Sequence, residues 1–190
     1  MPASMWRSRK VVLALSFLLS TPIASAPNLP EPPDGMSWTR IEEIHASFLL
    51  PDKWHLSSKA DGGTLAYFIS LEKVKKGGRF ETGLTINVFK NAKDKDAVAY
   101  AEAFTASAAK HYEFVDGWKF TVSAFHGFGV ITRLPAHDEV PPLEMAWLAI
   151  GNDRTNTLYL IFFESRESNW ESAWKIGEPM IHKFSLDDEF

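Results

Sequence analysis

The 190-residue chain contains no cysteine. That absence excludes a disulfide scaffold, thiol catalysis, Cys-ligated zinc, iron–sulfur clusters and a lipidated N-terminal cysteine. No N-x-S/T sequon occurs. No apolar run reaches the roughly 20 residues of a membrane span; the longest, from Val11, soon meets Ser20-Thr21-Pro22. There is no G-x-S-x-G, and Ser123 in Val122-Ser123-Ala124 lacks the flanking glycines that permit a strained nucleophile elbow. No two of the six histidines (His45, His55, His111, His126, His137, His182) lie two to four residues apart, so none forms a local chelating pair. Paired catalytic carboxylates leave no linear signature, so a hydrolase has no support here. The sequence names no catalytic, cofactor-binding or metal-binding residue and predicts no cofactor.

What is present fits one ordinary domain. Hydrophobic residues make up 45% and charged residues 23%, too apolar and too balanced for a disordered chain. A chain of this length buries enough surface to fold without staples.

Met1 to Ala26 reads as a secretory signal. Arg7, Arg9 and Lys10 precede an apolar stretch from Val11 to Leu19, and Ala24-Ser25-Ala26 supplies a small-x-small cleavage site. The two arginines are not adjacent, so the general export route is expected rather than the twin-arginine one. Removing the signal takes away three basic and no acidic residues, leaving 17 basic against 24 acidic, a net of −7. An acidic exported domain is a poor candidate for nucleic acid, where phosphates must be neutralised. The expected location is periplasmic or secreted, in a bacterium, with no membrane span once the signal is removed.

Residues 27–37 form a tether, with four prolines between Pro27 and Gly35; residues 38–190 form the single domain, ending in a short solvated acidic tail, Asp187-Asp188-Glu189. Strand signals dominate that domain. Thr64 to Leu71 follows the turn signal Asp61-Gly62-Gly63, and Leu84, Ile86 and Val88 alternate with polar residues. Phe120, Val122 and Ala124 alternate likewise, and Phe128 to Leu134 follows. Leu143 to Ile150 and Thr157 to Glu164 flank a hairpin loop, Gly151-Asn152-Asp153-Arg154. Leu158 to Phe163 is apolar on both faces, the pattern of a central strand covered on both sides.

Two helices are available to do the covering. Asp96 caps the first, which runs to about Lys110 with Ala97, Ala101, Phe104 and Ala108 on one stripe. The second starts at Ser168, where Ser168-x-x-Glu171 has capping-box spacing. Its stripe is Trp170, Trp174, Gly177, Ile181 and Phe184, and Pro179 should kink or split it. The expected fold class is α+β: a single antiparallel β-sheet flanked by a helix on each face, an α-β-α sandwich.

Phe48-Leu49-Leu50-Pro51-Asp52-Lys53-Trp54 resembles the LP-x-x-W opening of PsbP-like domains, and Thr157 to Phe184 is similar to that family's ending. The resemblance implies an α-β-α fold and an accessory or partner-binding role. It does not transfer the family's photosystem or Ran-GTPase roles, because no matching site residues are present.

Several features have structural readings. Gly127-Phe128-Gly129 is not a dinucleotide loop, since position 132 is Thr and no helix follows; glycines in a strand let a bulky aromatic lie across the backbone or mark a bulge. Glu42-x-x-His45 lies before strand-like sequence, where the two side chains would diverge. His137-Asp138-Glu139, in the proline-rich loop from Leu134 to Pro142, reads as solvated loop polarity, with a weakly bound ion as the alternative. Trp147, Trp170 and Trp174 belong to the core. One anomaly remains: Lys73, Lys75, Lys76 and Arg79 cluster around Gly77-Gly78 in an otherwise acidic domain. The cluster is a candidate docking loop for an acidic partner surface or anionic lipid head groups. The function expected is therefore a non-catalytic accessory protein that binds another protein in the cell envelope. The alternative is a periplasmic binding protein for a small ligand or metal ion.

Overall fold

The structure, a computed structural model, describes residues 29–61, 64–74, 78–90, 95–137 and 140–190. Among these residues the chain forms ten strands and two α-helices, and the strands divide into two sheets. Strands β1 (Met36–Ile41) and β2 (Ala46–Pro51) pair antiparallel, and β10 (Phe184–Leu186) joins the other side of β2. The larger sheet comprises β3 (His55–Asp61), β4 (Thr64–Ser70), β5 (Gly83–Phe89), β6 (Glu113–Val122), β7 (Phe125–Leu134), β8 (Leu143–Asn152) and β9 (Leu158–Arg166). Its order is β3-β4-β5-β9-β8-β7-β6, antiparallel throughout.

This corrects the expected fold class. The protein is mostly β, with two sheets rather than one, and it is not a single sheet with a helix on each face. Helix α1 (Ala97–His111) packs on β7 and β8 at one face of the seven-stranded sheet. At the other face the cover is composite: α2 (Trp170–His182) contacts β9, β5 and β8, and it also contacts β2 of the small sheet. The physical reason is area. One helix about 10 Å wide spans roughly two strands spaced 4.8 Å apart, so a seven-stranded face needs more than one helix to keep water off it.

Strand β9 is the middle strand of the large sheet, and its alternation serves both faces. Leu158 and Leu160 turn toward Ala97 and Ala101 of α1, while Tyr159, Ile161 and Phe163 enter the main core with Phe48, Ile86 and Met180. Asp96 caps α1, accepting from the amides of Val98 and Ala99 at 2.9 Å each. The buried stripe of α1 is small (Ala97, Ala101, Thr105, Ala108), which lets the helix sit close to the sheet.

Helix α2 differs from its expected start. A 3₁₀ turn covers Glu167–Asn169, and α2 begins at Trp170 with no side-chain cap, so the Ser168/Glu171 capping box does not form. Pro179 lies inside the helix without ending it. Phe184 belongs to β10, not to the helical stripe. Trp170 is buried, whereas Trp174 is half-buried and stacks on Trp170 with ring centroids 5.0 Å apart. Both rings lie 5.9 Å from that of Phe163.

Gly177 faces the same Phe163 ring so closely that an added Cβ would fall inside the ring's van der Waals envelope. Alanine elsewhere in a helix gains about 1 kcal/mol over glycine, but overpacking a fixed core costs about 1–3 kcal/mol. Gly177→Ala is therefore expected to lower stability despite better helix propensity, read as a lower urea midpoint.

Candidate functional site

The uncovered end of the large sheet holds the candidate site. Strand β6 is an edge strand, and after a bulge between Phe114 and Asp116 its Trp118, Phe120 and Val122 share one face. Opposite them in β7 stand Gly129, Gly127 and Phe125. The Trp118 ring lies across Gly129 and the Phe120 ring across Gly127, so a side chain at either glycine would collide with an aromatic. The two glycines thus act as expected from sequence, as seats for rings. Val122, next along, is 64% exposed.

The turn after β6 brings the C-terminal segment alongside. Ser123, at φ 52°, donates its hydroxyl to Asp188 at 2.9 Å. Arg154 pairs with Asp188 at 3.2 Å and also with Glu189. The Asn152 side chain donates to the Asp188 carbonyl at 3.0 Å. Phe190 is buried, Lys90 stands 3.4 Å over its ring, and the Thr155 and Thr157 hydroxyls donate to its carbonyl oxygen at 2.8 Å. The segment read from sequence as a solvated acidic tail is therefore docked, each of its carboxylates holding a partner.

Asp187 shows how the docking responds to pH. It accepts from the Glu189 amide at 3.0 Å and from His45 at 3.2 Å, and these partners hold its carboxyl below the ordinary carboxylate range, the backbone bond first. A carboxylate with a depressed folded-state pKa stabilises the fold above its unfolded value and loses that contribution as pH falls through the folded one. Acidification should therefore loosen this segment, and Asp187→Asn should remove the acid limb. Exchange of the Phe190 amide, which donates to the Asp187 carbonyl at 3.2 Å, reports it.

Between these parts lies a groove of about 500 Å³, lined by Phe120, Val122, Phe125, Ile181, Phe184 and Leu186, with Ser123, His182, Ser185 and Asp188 at its polar margin. All three residues of β10 line it, while β6 contributes Phe120 and Val122 from one face. The groove floor is thus a sheet face, and one of its walls is a sheet edge. Beyond its ladder to β2, β10 has no strand partner among the described residues. The outer edge of β6 is less inviting, since a bulge and the charges of Asp116 and Lys119 interrupt it.

Ser123, His182 and Asp188 share the groove, but they do not form a nucleophile relay. The serine hydroxyl donates to the carboxylate, not to an imidazole, and that carboxylate is shared with Arg154. His182 instead packs on the Trp118 ring at 4.9 Å. Among the described residues no group of three His, Asp or Glu side chains could hold a metal ion. Glu42–Ile44 forms a 3₁₀ turn rather than strand-like backbone, and Glu42 pairs with Arg40 while His45 pairs with Asp187. His137 bridges Val140, while Asp138 and Glu139 lie outside the described residues.

The basic loop sits elsewhere. Lys73 and Arg79 are exposed, while Lys75 and Lys76 lie outside the described residues. Burial pushes the Glu164 carboxyl up, and the charge of Arg79 pulls it back down. Glu72 accepts from the amides of Glu81 and Thr82 at 3.3 Å each, and Glu81 pairs with Arg166. The loop joins β4 to β5 at the Glu164 end of β9, whereas the groove lies at the Leu158 end beyond β7. At strand spacings of about 4.8 Å and about 3.4 Å per residue, the two candidates stand roughly 20 Å apart in each direction. They occupy opposite corners of the sheet and are not one site. Sequence reasoning missed the groove because its wall, β10, is three residues long and carries no periodicity.

No family model matches the sequence, and no curated protein matches it. Solved structures do resemble it. Cyanobacterial PsbP (CyanoP) from Synechocystis aligns over 88% of this chain and 100% of its own, with TM-score 0.52 and 14% identity. The Ran-binding protein Mog1p of Saccharomyces cerevisiae aligns over 80% of this chain and 95% of its own, with TM-score 0.50 and 10% identity. At such identities the likeness speaks for the fold alone: the chain has the PsbP-like fold.

Proposed function

We propose that this chain is an exported accessory protein that binds another protein in the cell envelope, without catalysis, through the groove between β10 and the β6–β7 end of the large sheet. The observation that carries the reading is the apolar floor of half-exposed Phe120 and exposed Val122 beside an edge of β10 that has no strand partner among the described residues. Solvent-facing apolar surface bounded by polar residues is how interaction sites on stable domains are built. The secretory signal supports the location, and one structural neighbour is named for binding a protein, Ran.

Two measurements test this. Protein recovered from the envelope fraction should begin at Pro27 or within a few residues of it; recovery of the uncut chain from the cytosol would remove the export half. A photo-crosslinking residue placed at Val122 should trap a discrete partner in envelope extracts. The same residue at Lys175, on the exposed side of α2, should not. Equal trapping at both positions would remove the groove from the proposal.

A second reading has its own support. A volume of about 500 Å³ with an apolar lining lies within the range of small-molecule pockets. A thermal-shift screen against metabolites separates the two, since a ligand at about a hundred times its Kd adds about 2.7 kcal/mol to stability.

A further inference from the structure

We infer that the groove is a strand-docking site: an extended segment of the partner protein adds to the free edge of β10 as a fourth strand of the small sheet. The inference rests on the proposed function and names how the partner is held. Two observations meet here.

The first is the unfinished cover of the large sheet. Among the described residues the small sheet, in the order β1-β2-β10, stops at β10. Beyond that edge the face of the large sheet carries Phe120, half-exposed, and Val122, 64% exposed. Adjacent strands lie about 4.8 Å apart, so a strand added at β10 would lie over this floor and finish the layer. The second is the way β10 meets the groove. Phe184, Ser185 and Leu186 all line it, although alternate residues of a strand face opposite sides. Consecutive residues line a cavity together when it runs along the strand's edge, where main-chain N–H and C=O groups are presented. A small apolar ligand would use the floor and leave those main-chain groups unanswered, whereas an extended peptide uses both.

The occupant's chemistry follows. Its residues facing the floor are apolar and alternate with polar ones. It carries no net negative charge, because the chain without its signal is at −7. At the groove's ends Ser123 and Asp188 are already bonded to each other, which leaves the main chain and the apolar floor as the main contacts.

The test uses the chain without residues 1–26 and a capped heptapeptide of alternating valine and threonine with a lysine at each end. Two derivatives are N-methylated, one at its valines and one at its threonines. An added strand points alternate amides at its neighbour, so one derivative should lose at least tenfold in affinity while the other binds like the parent. NMR titration should place the largest amide shifts at 184–186, with smaller ones at 120–125. Equal affinity of all three peptides, or shifts confined to 120–125, would overturn strand addition in favour of an apolar ligand groove. A concentration-dependent dimer whose interface protects 184–186 in the absence of peptide would overturn it in favour of a second copy. Failure of the peptide to bind while Val122 still cross-links a partner would defeat the strand mechanism and leave the proposed function standing. Failure of both would remove both.

Discussion

Phe163→Ala is expected to cost roughly 3–5 kcal/mol, the range for removing a large aromatic from a core. Phe163 is fully buried on the central strand. Its ring touches those of Trp170 and Trp174 and fills the space left by Gly177, so it fixes where α2 lies on the sheet. In a domain of this size the loss corresponds to a fall of about 10 °C in melting temperature. Trp174→Ala should cost distinctly less, since Trp174 is only half-buried and rests on Trp170. If the two substitutions shifted the midpoint equally, the packing order described for α2 would be wrong.

The second large effect is on binding. Val122→Glu should leave stability nearly unchanged, because the side chain is 64% exposed. In complex with a partner the same carboxylate would lose its water over an apolar floor, a penalty of about 2 kcal/mol or more that corresponds to roughly thirtyfold or more in affinity. The loop behaves differently. Exposed charges such as Lys73 and Arg79 act mainly on association rate and salt sensitivity. Replacing Lys73, Lys75, Lys76 and Arg79 together with glutamine should not slow association at the groove, because the loop stands roughly 20 Å away in each direction and the change only makes the chain more acidic; slower association with a flatter salt response would show that the loop itself meets the partner. Surface plasmon resonance with the cross-linked partner, at two salt concentrations, resolves both variants. An unchanged rate and salt response would reduce the loop to a solvated turn; an unchanged affinity for Val122→Glu would empty the groove.

Much of the large sheet was legible in the sequence because its strands are long and their burial is simple. Leu158 to Phe163 is apolar at every position, and it became the central strand. Asp96 before an alanine-rich stretch became a working cap. Gly127-Phe128-Gly129 became seats for two rings, as a strand with glycines opposite aromatics requires. The small sheet was not legible. Strand β1 mixes Ser37, Thr39 and Arg40 with apolar residues, and three residues of β10 carry no period at all. Its strands are held by register against β2, a long-range fact that local pattern does not encode. The same limit hid the candidate site. The groove joins Phe120 to Leu186, and Ser123 meets Asp188 across 65 positions of chain. The acidic tail looked solvated because charge dominates its composition, yet Phe190 and the pairs to His45 and Arg154 dock it. The basic loop was conspicuous for the opposite reason: four cations close in sequence stand out, whereas Glu164, whose charge meets that of Arg79, arrives from β9.

Amide hydrogen exchange on the chain without its signal, free and bound to the partner trapped from Val122, tests the central claim most directly. Protection should rise at 184–186 and at 120–125 and stay unchanged in β3, β4 and the exposed face of α1. Protection concentrated around 55–74 with no change at 184–186 would place the partner at the opposite corner of the sheet and contradict the assignment of the groove.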